Sequence, residues 1–216
     1  MSRARLICWI ALVGAVSALE YSARFSSTTT KNTRDDVYSY SAFTNGLIFY
    51  GLIFGVVLAI AFDRTDLFAI RRPARRAAQL AAGVLIATYV WELVVVALPI
   101  RDPGKEQGLT PTHWEPSHAG AFAANVVLLT IVAPVIEELT FRGVGQSLLR
   151  FTGRWPSILL VGVAFGLWHG LVQALLILIP FGIGLAYLRD RTRSVVPGMV
   201  VHALFNGAAL AVAVLS

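Results

Sequence analysis

Seven apolar runs, separated by short polar stretches, set the pattern of this chain. Residues 6–19 follow a basic start, Ser2-Arg3-Ala4-Arg5. Residues 22–45 are rich in Ser and Thr and read as a loop, and residues 46–62 form the second run. An arginine-rich segment, 63–76, separates it from a third run at 77–98. Residues 99–118 contain Pro99, Pro103, Gly104, Gly108, Pro111 and Pro116, which mark a loop. The fourth run spans 119–149, and three more follow at 156–170, 171–188 and 195–215. Several runs approach or exceed the about 20 residues that cross a bilayer as a helix. The pattern predicts an all-α fold, a polytopic transmembrane helix bundle of about seven spans. The fifth and sixth runs are short and interrupted by Gly170 and Pro180, so a hairpin is expected there instead of one long tilted helix.

Charge adds an orientation. With the N-terminus in the cytoplasm and sides alternating, thirteen of the eighteen Lys and Arg residues fall inside. They are Arg3, Arg5, the five of the 63–76 loop, Arg142, Arg150, Arg154, Arg189, Arg191 and Arg193. Arg24, Lys31, Arg34, Arg101 and Lys105 fall outside. That bias is the positive-inside pattern. The first run is read as a retained helix, in preference to a signal peptide cut near Ser22-Ala23. Trp9, Trp91, Trp114 and Trp155 fall mostly near run ends, as interfacial anchors do.

Composition agrees: 56% of residues are apolar and 14% charged, far from a soluble mixture. The net charge of +6 sits in short loops, so it is no signal for nucleic acid. Cys8 is the only cysteine, which excludes an intrachain disulfide.

The candidate chemistry lies inside the spans. Glu137, Glu138 and Arg142 stand in the fourth, where each ionised group near the bilayer centre costs roughly 2.5–3.5 kcal/mol. Glu138 and Arg142 are four apart and can pair on one helix face, leaving Glu137 turned elsewhere to act as a base. His169 ends the fifth run; His202 and Asn206, again four apart, share a face of the seventh. Counted from the span ends, these groups fall in one slab near the midplane or on its cytoplasmic side, with access expected from the cytoplasmic half. Glu137 and His169 suit activation of a water. His202 and Asn206 suit stabilisation of an oxyanion. A second version has a divalent metal such as zinc held by His169, His202 and Glu137. The sequence leaves both open. His113, Glu115 and His118, in the outer loop, match no helical pair and read as solvated.

Glu137-Glu138-x-x-x-Arg142, Phe165-x-x-x-His169 and His202-x-x-x-Asn206, in that order, resemble the three motifs of the CPBP intramembrane protease family. That family includes the type II CAAX prenyl endopeptidases and the bacterial Abi, bacteriocin-processing and immunity proteins. The resemblance covers about residues 119–210. It implies a catalytic helical core at 119–216, preceded by transmembrane helices and loops at 1–118, in one membrane-embedded domain. It also implies that Glu137 and His169 activate the water, that His202 and Asn206 stabilise the transition state, and that Glu138 and Arg142 support the site. The expected activity is endopeptidase cleavage in or next to the membrane. A membrane protein or lipidated peptide is the expected substrate, the lipid bilayer the other partner, and a prokaryotic plasma membrane the location. Two other classes remain: a non-catalytic immunity or transport protein, and an electron-transfer protein with haem between His169 and His202.

Overall fold

The computed structural model describes residues 3–26, 33–73, 75–98 and 114–215. The seven runs become seven helices among these residues, with no strand. They are α1 (Arg3–Ser26), α2 (Tyr40–Ile60), α3 (Ala77–Val96), α4 (Pro116–Thr152), α5 (Arg154–Trp168), α6 (Leu175–Thr192) and α7 (Val196–Leu215). Helices α1 to α4 and α7 are long and apolar enough to cross a membrane, and α5 is a shorter apolar helix. One buried apolar cluster runs from Trp9 of α1 to Phe205 of α7, so all the helices share a core.

Two expected boundaries move. Helix α1 continues to Ser26, and α2 begins at Tyr40, so part of the 22–45 loop is helical. Ser39 caps α2 by accepting from the Ser41 N–H at 3.2 Å. Thr44 folds its hydroxyl back onto the Tyr40 carbonyl at 2.9 Å. The Ser39 hydroxyl satisfies an orphan N–H at the helix start, a role that a hydropathy reading scores only as polar. Trp9 is also not the interfacial anchor expected of it. It is 3% exposed, and its indole N–H donates to the Thr140 carbonyl at 2.9 Å. Trp9, Val13 and Val16 repeat at helical spacing and face the bundle. Trp91, Trp114 and Trp155 are exposed. His113 lies outside the described residues, and Glu115 and His118 bond to Ser117 instead of converging on a site.

The hairpin is formed by α5 and α6. A Cβ at Gly162 would lie 2.8 Å from the Ile183 nitrogen, and one at Gly182 2.8 Å from the Gly162 oxygen. Only glycine lets the two backbones touch so closely, the small-residue contact that packs helices in lipid. The turn between them holds Gly170 at φ +63°. It docks on α1, where Tyr21 donates to the Leu171 carbonyl at 2.7 Å. Pro180 inside α6 has no N–H for the Leu176 carbonyl four residues back. The Trp91 indole N–H, from α3, takes that carbonyl at 2.6 Å. Backbone groups inside a membrane need such a partner.

The basic loops gather at one end. Arg5 pairs with Asp63, and Arg154 with Asp190 at 2.8 Å. Ser194 donates to the Arg71 carbonyl at 2.7 Å and the Val195 N–H to Ala69 at 3.1 Å, tying the start of α7 to the arginine-rich loop.

Candidate active site

Helix α4 carries two stretches wound to π geometry, Leu128–Val132 and Leu139–Gly145, on either side of Ala133–Glu138. Such stretches are rare and gather at functional sites. The first has a cause in the sequence. The Ala133 N–H bonds back to Leu128, five residues away, so the donor due to Leu129 is the N–H of residue 134. Residue 134 is proline and has none. Asn206 of α7 fills the gap, donating from Nδ2 to the Leu129 carbonyl at 2.9 Å. One amide hydrogen of Asn206 is thereby used and the other remains.

The carboxylates diverge as their 100° separation requires. Glu138 is fully buried and accepts from Arg142 Nη1 at 2.7 Å. Arg142, also fully buried, reaches on to the Gly182 carbonyl through Nη2 at 3.0 Å. Its guanidinium carbon lies 4.2 Å from the centre of the Phe165 ring, a cation–π contact. Phe165 is the hub: its ring centre is 4.8 Å from that of His169 and 5.5 Å from that of His202. His202 Nδ1 faces Glu138 Oε1 at 3.3 Å.

Glu137 points into the space between the helices. Its Oε2 lies 3.9 Å from His169 Nε2 and 3.7 Å from His202 Nε2. Its Oε1 accepts from the Tyr50 hydroxyl of α2 at 2.7 Å. His169 is fixed by Nδ1 against the Phe165 carbonyl at 2.8 Å. Glu137, His169, His202 and Asn206 thus meet on the wall of one cavity of about 370 Å³, with Glu138 and Arg142 packed behind. Tyr50 is the residue that sequence reasoning missed. A phenol in an otherwise apolar span is the signal that was present, but nothing in the pattern tied it to α4.

Residues 119–208 match the family model described as type II CAAX prenyl endopeptidase Rce1-like. Through this region the chain is similar to the Rce1-like family. All the motif residues above lie inside the Rce1-like stretch, in agreement with the CPBP resemblance, and Tyr50 lies outside it. That description is of a CAAX prenyl endopeptidase, a hydrolase. No curated protein and no solved structure matches the chain.

Glu137 Oε2, His169 Nε2 and His202 Nε2 face one another but are not drawn together as ion ligands. Among the described residues no three His, Cys, Asp or Glu side chains form a group that could hold an ion. Glu138 is committed to Arg142, whose fixed positive charge sits behind the imidazoles. Nor is the arrangement that of two axial haem ligands, since both Nε2 atoms turn to the same carboxylate oxygen.

Proposed function

We propose that the protein is an intramembrane endopeptidase in which Glu137 is the general base. The observation that supports it best is the facing of Glu137 Oε2 and His169 Nε2 across 3.9 Å. Only an N–H can face the Phe165 carbonyl, so the His169 proton belongs on Nδ1 and Nε2 is an acceptor. An ionised carboxylate is also an acceptor. Two acceptors in that position call for a donor between them, and a water has two O–H groups to give. As that water attacks the scissile carbonyl, its proton passes to Glu137 Oε2 and a C–O bond forms. When the C–N bond breaks, the same proton goes to the leaving amine. Tyr50 occupies Oε1 and leaves Oε2 as the working oxygen.

The oxyanion would take the remaining N–H of Asn206 and a hydrogen from His202 Nε2. With its Nδ1 toward Glu138, His202 has a hydrogen to give at Nε2 only as the imidazolium. Glu138, held by Arg142, and Glu137 both stand within reach to balance that charge. The reading uses no metal. The substrate is a membrane protein or lipidated peptide met in the bilayer. With the arginine loops in the cytoplasm of a prokaryotic plasma membrane, the N-terminus is cytoplasmic as well.

The test is a mutant cycle on a cleaved peptide. Groups that work on one water act as a unit. Glu137→Gln, His169→Ala and the double variant should therefore lose nearly the same activity. Losses that multiply would contradict a shared water.

A further inference from the structure

We propose that substrate reaches Glu137 from the non-cytoplasmic end of the bundle, so that the bond cut lies in an outward-facing segment of a membrane-anchored polypeptide. This rests on the protease reading of the site, and it reverses the side of access that span depths alone suggest.

The cavity has a floor and an open end. At the floor, Glu137, Phe165 and His202 are 4%, 0% and 3% exposed. At the other end its lining includes Glu20 and Ala209, both exposed, and Asp36, partly exposed. These three lie far from the arginine loops along their own helices. Glu20 is seventeen residues past the start of α1, or roughly 26 Å. Asp36 precedes α2, and Ala209 is thirteen residues into α7, or roughly 20 Å. No lining residue belongs to the basic loops.

Below the floor the bundle is closed. Glu138, Arg142 and Gln146 follow one another at single-turn spacing along α4, all buried. Arg142 and Gln146 donate to the Gly182 and Ala186 carbonyls of α6, both at 3.0 Å. Arg189 donates to Ser147 at 2.6 Å one layer further on. This polar clamp stands between the cavity and the arginine end.

The short hairpin explains the opening. Helix α5 has fifteen residues, roughly 22 Å, against about 30 Å of hydrocarbon. It rises from the basic end and stops inside the membrane. The following turn is recessed, and Leu171 in it lines the cavity. Irregular backbone at membrane depth is tolerated where it is packed in protein or lines a wet cavity. Because the basic end is the cytoplasmic one by charge bias, the open end faces outward. The apolar walls, with Leu129, Leu178, Phe181 and Phe205 among them, suit apolar side chains flanking the cut bond. A cytoplasmic C-terminal peptide would have to pass the clamp.

Cysteine labelling in the full chain tests this. Cys8→Ser supplies the background. Asp36→Cys and Ala209→Cys report the open end, and Arg75→Cys reports the basic loop. A membrane-impermeant maleimide is applied to right-side-out spheroplasts and to inside-out vesicles. The expected result is labelling of positions 36 and 209 in spheroplasts only, and of position 75 in vesicles only. Labelling of 36 and 209 from the vesicle side overturns the proposal. So does labelling of 75 from the spheroplast side, or failure of both outer positions to label while the denatured protein labels fully. Labelling needs no turnover, so a wrong side shows in the labels, while a wrong catalytic assignment shows only as peptide cleavage that survives Glu137→Gln.

Discussion

Tyr50 and Glu137 are joined across α2 and α4 by a hydrogen bond of 2.7 Å, a contact that ties the first hundred residues to the catalytic carboxylate proposed above. A hydrogen bond to a charged group is worth about 1.5–3 kcal/mol. Tyr50→Phe keeps the ring and removes the donor. It is expected to slow turnover by about 10- to 100-fold, with little change in thermal unfolding. Unchanged turnover would show that Oε2 needs no help from Oε1.

Asn206 serves a backbone and a reaction at once. Asn206→Ala strands the Leu129 carbonyl at a cost of about 1–3 kcal/mol, and it removes an oxyanion donor worth about 10²–10³ in rate. Adding Pro134→Ala restores an N–H at the position that owes Leu129 its bond. The double variant should recover unfolding temperature but not activity. Recovery of both would mean that Asn206 is structural only.

Glu138 is held on three sides. Arg142 and His202 face Oε1, and Gly198 packs against Oε2, where an added Cβ would lie 2.6 Å away. Arg142→Leu leaves a buried carboxylate unpaired, a loss of about 3–5 kcal/mol, seen as a large drop in detergent unfolding temperature. Gly198→Ala should displace Glu138 and with it His202, lowering turnover more than substrate affinity. A change in affinity alone would place the effect elsewhere.

Chelators check the metal question directly. With no group of ion-holding side chains among the described residues, activity of the purified protein should survive EDTA and phenanthroline unchanged. Loss of activity that zinc restores would overturn the metal-free mechanism.

The seven helices were legible because membrane helices declare themselves by length and hydropathy, and the break between α5 and α6 because Gly170 sits at it, whereas Pro180 lies inside α6. Glu138 with Arg142 was legible from spacing alone, since four residues make one turn. The start of α2 was not, because Ser39, Ser41 and Thr44 look like a loop until the hydrogen bonds are seen. Trp9 and Tyr50 were missed for a related reason. Their partners, Thr140 and Glu137, are 131 and 87 residues away, and nothing local announces such a pairing. The role of Pro134 was hidden too, because a proline in a span looks like a break until the carbonyl it frees is found on Asn206.

The central claim is that Glu137 takes a proton from water so that a peptide bond is cut. Its most direct test compares peptide termini, in membranes and in the medium, from cells with wild type or Glu137→Gln at equal protein levels. The substitution keeps the size and hydrogen bonding of the side chain and removes the base. Specific new termini with wild type alone are the predicted result, and they would name the substrate. Matching profiles across several growth conditions would contradict the claim and return the Glu-Glu-Arg cluster to the immunity or transport reading.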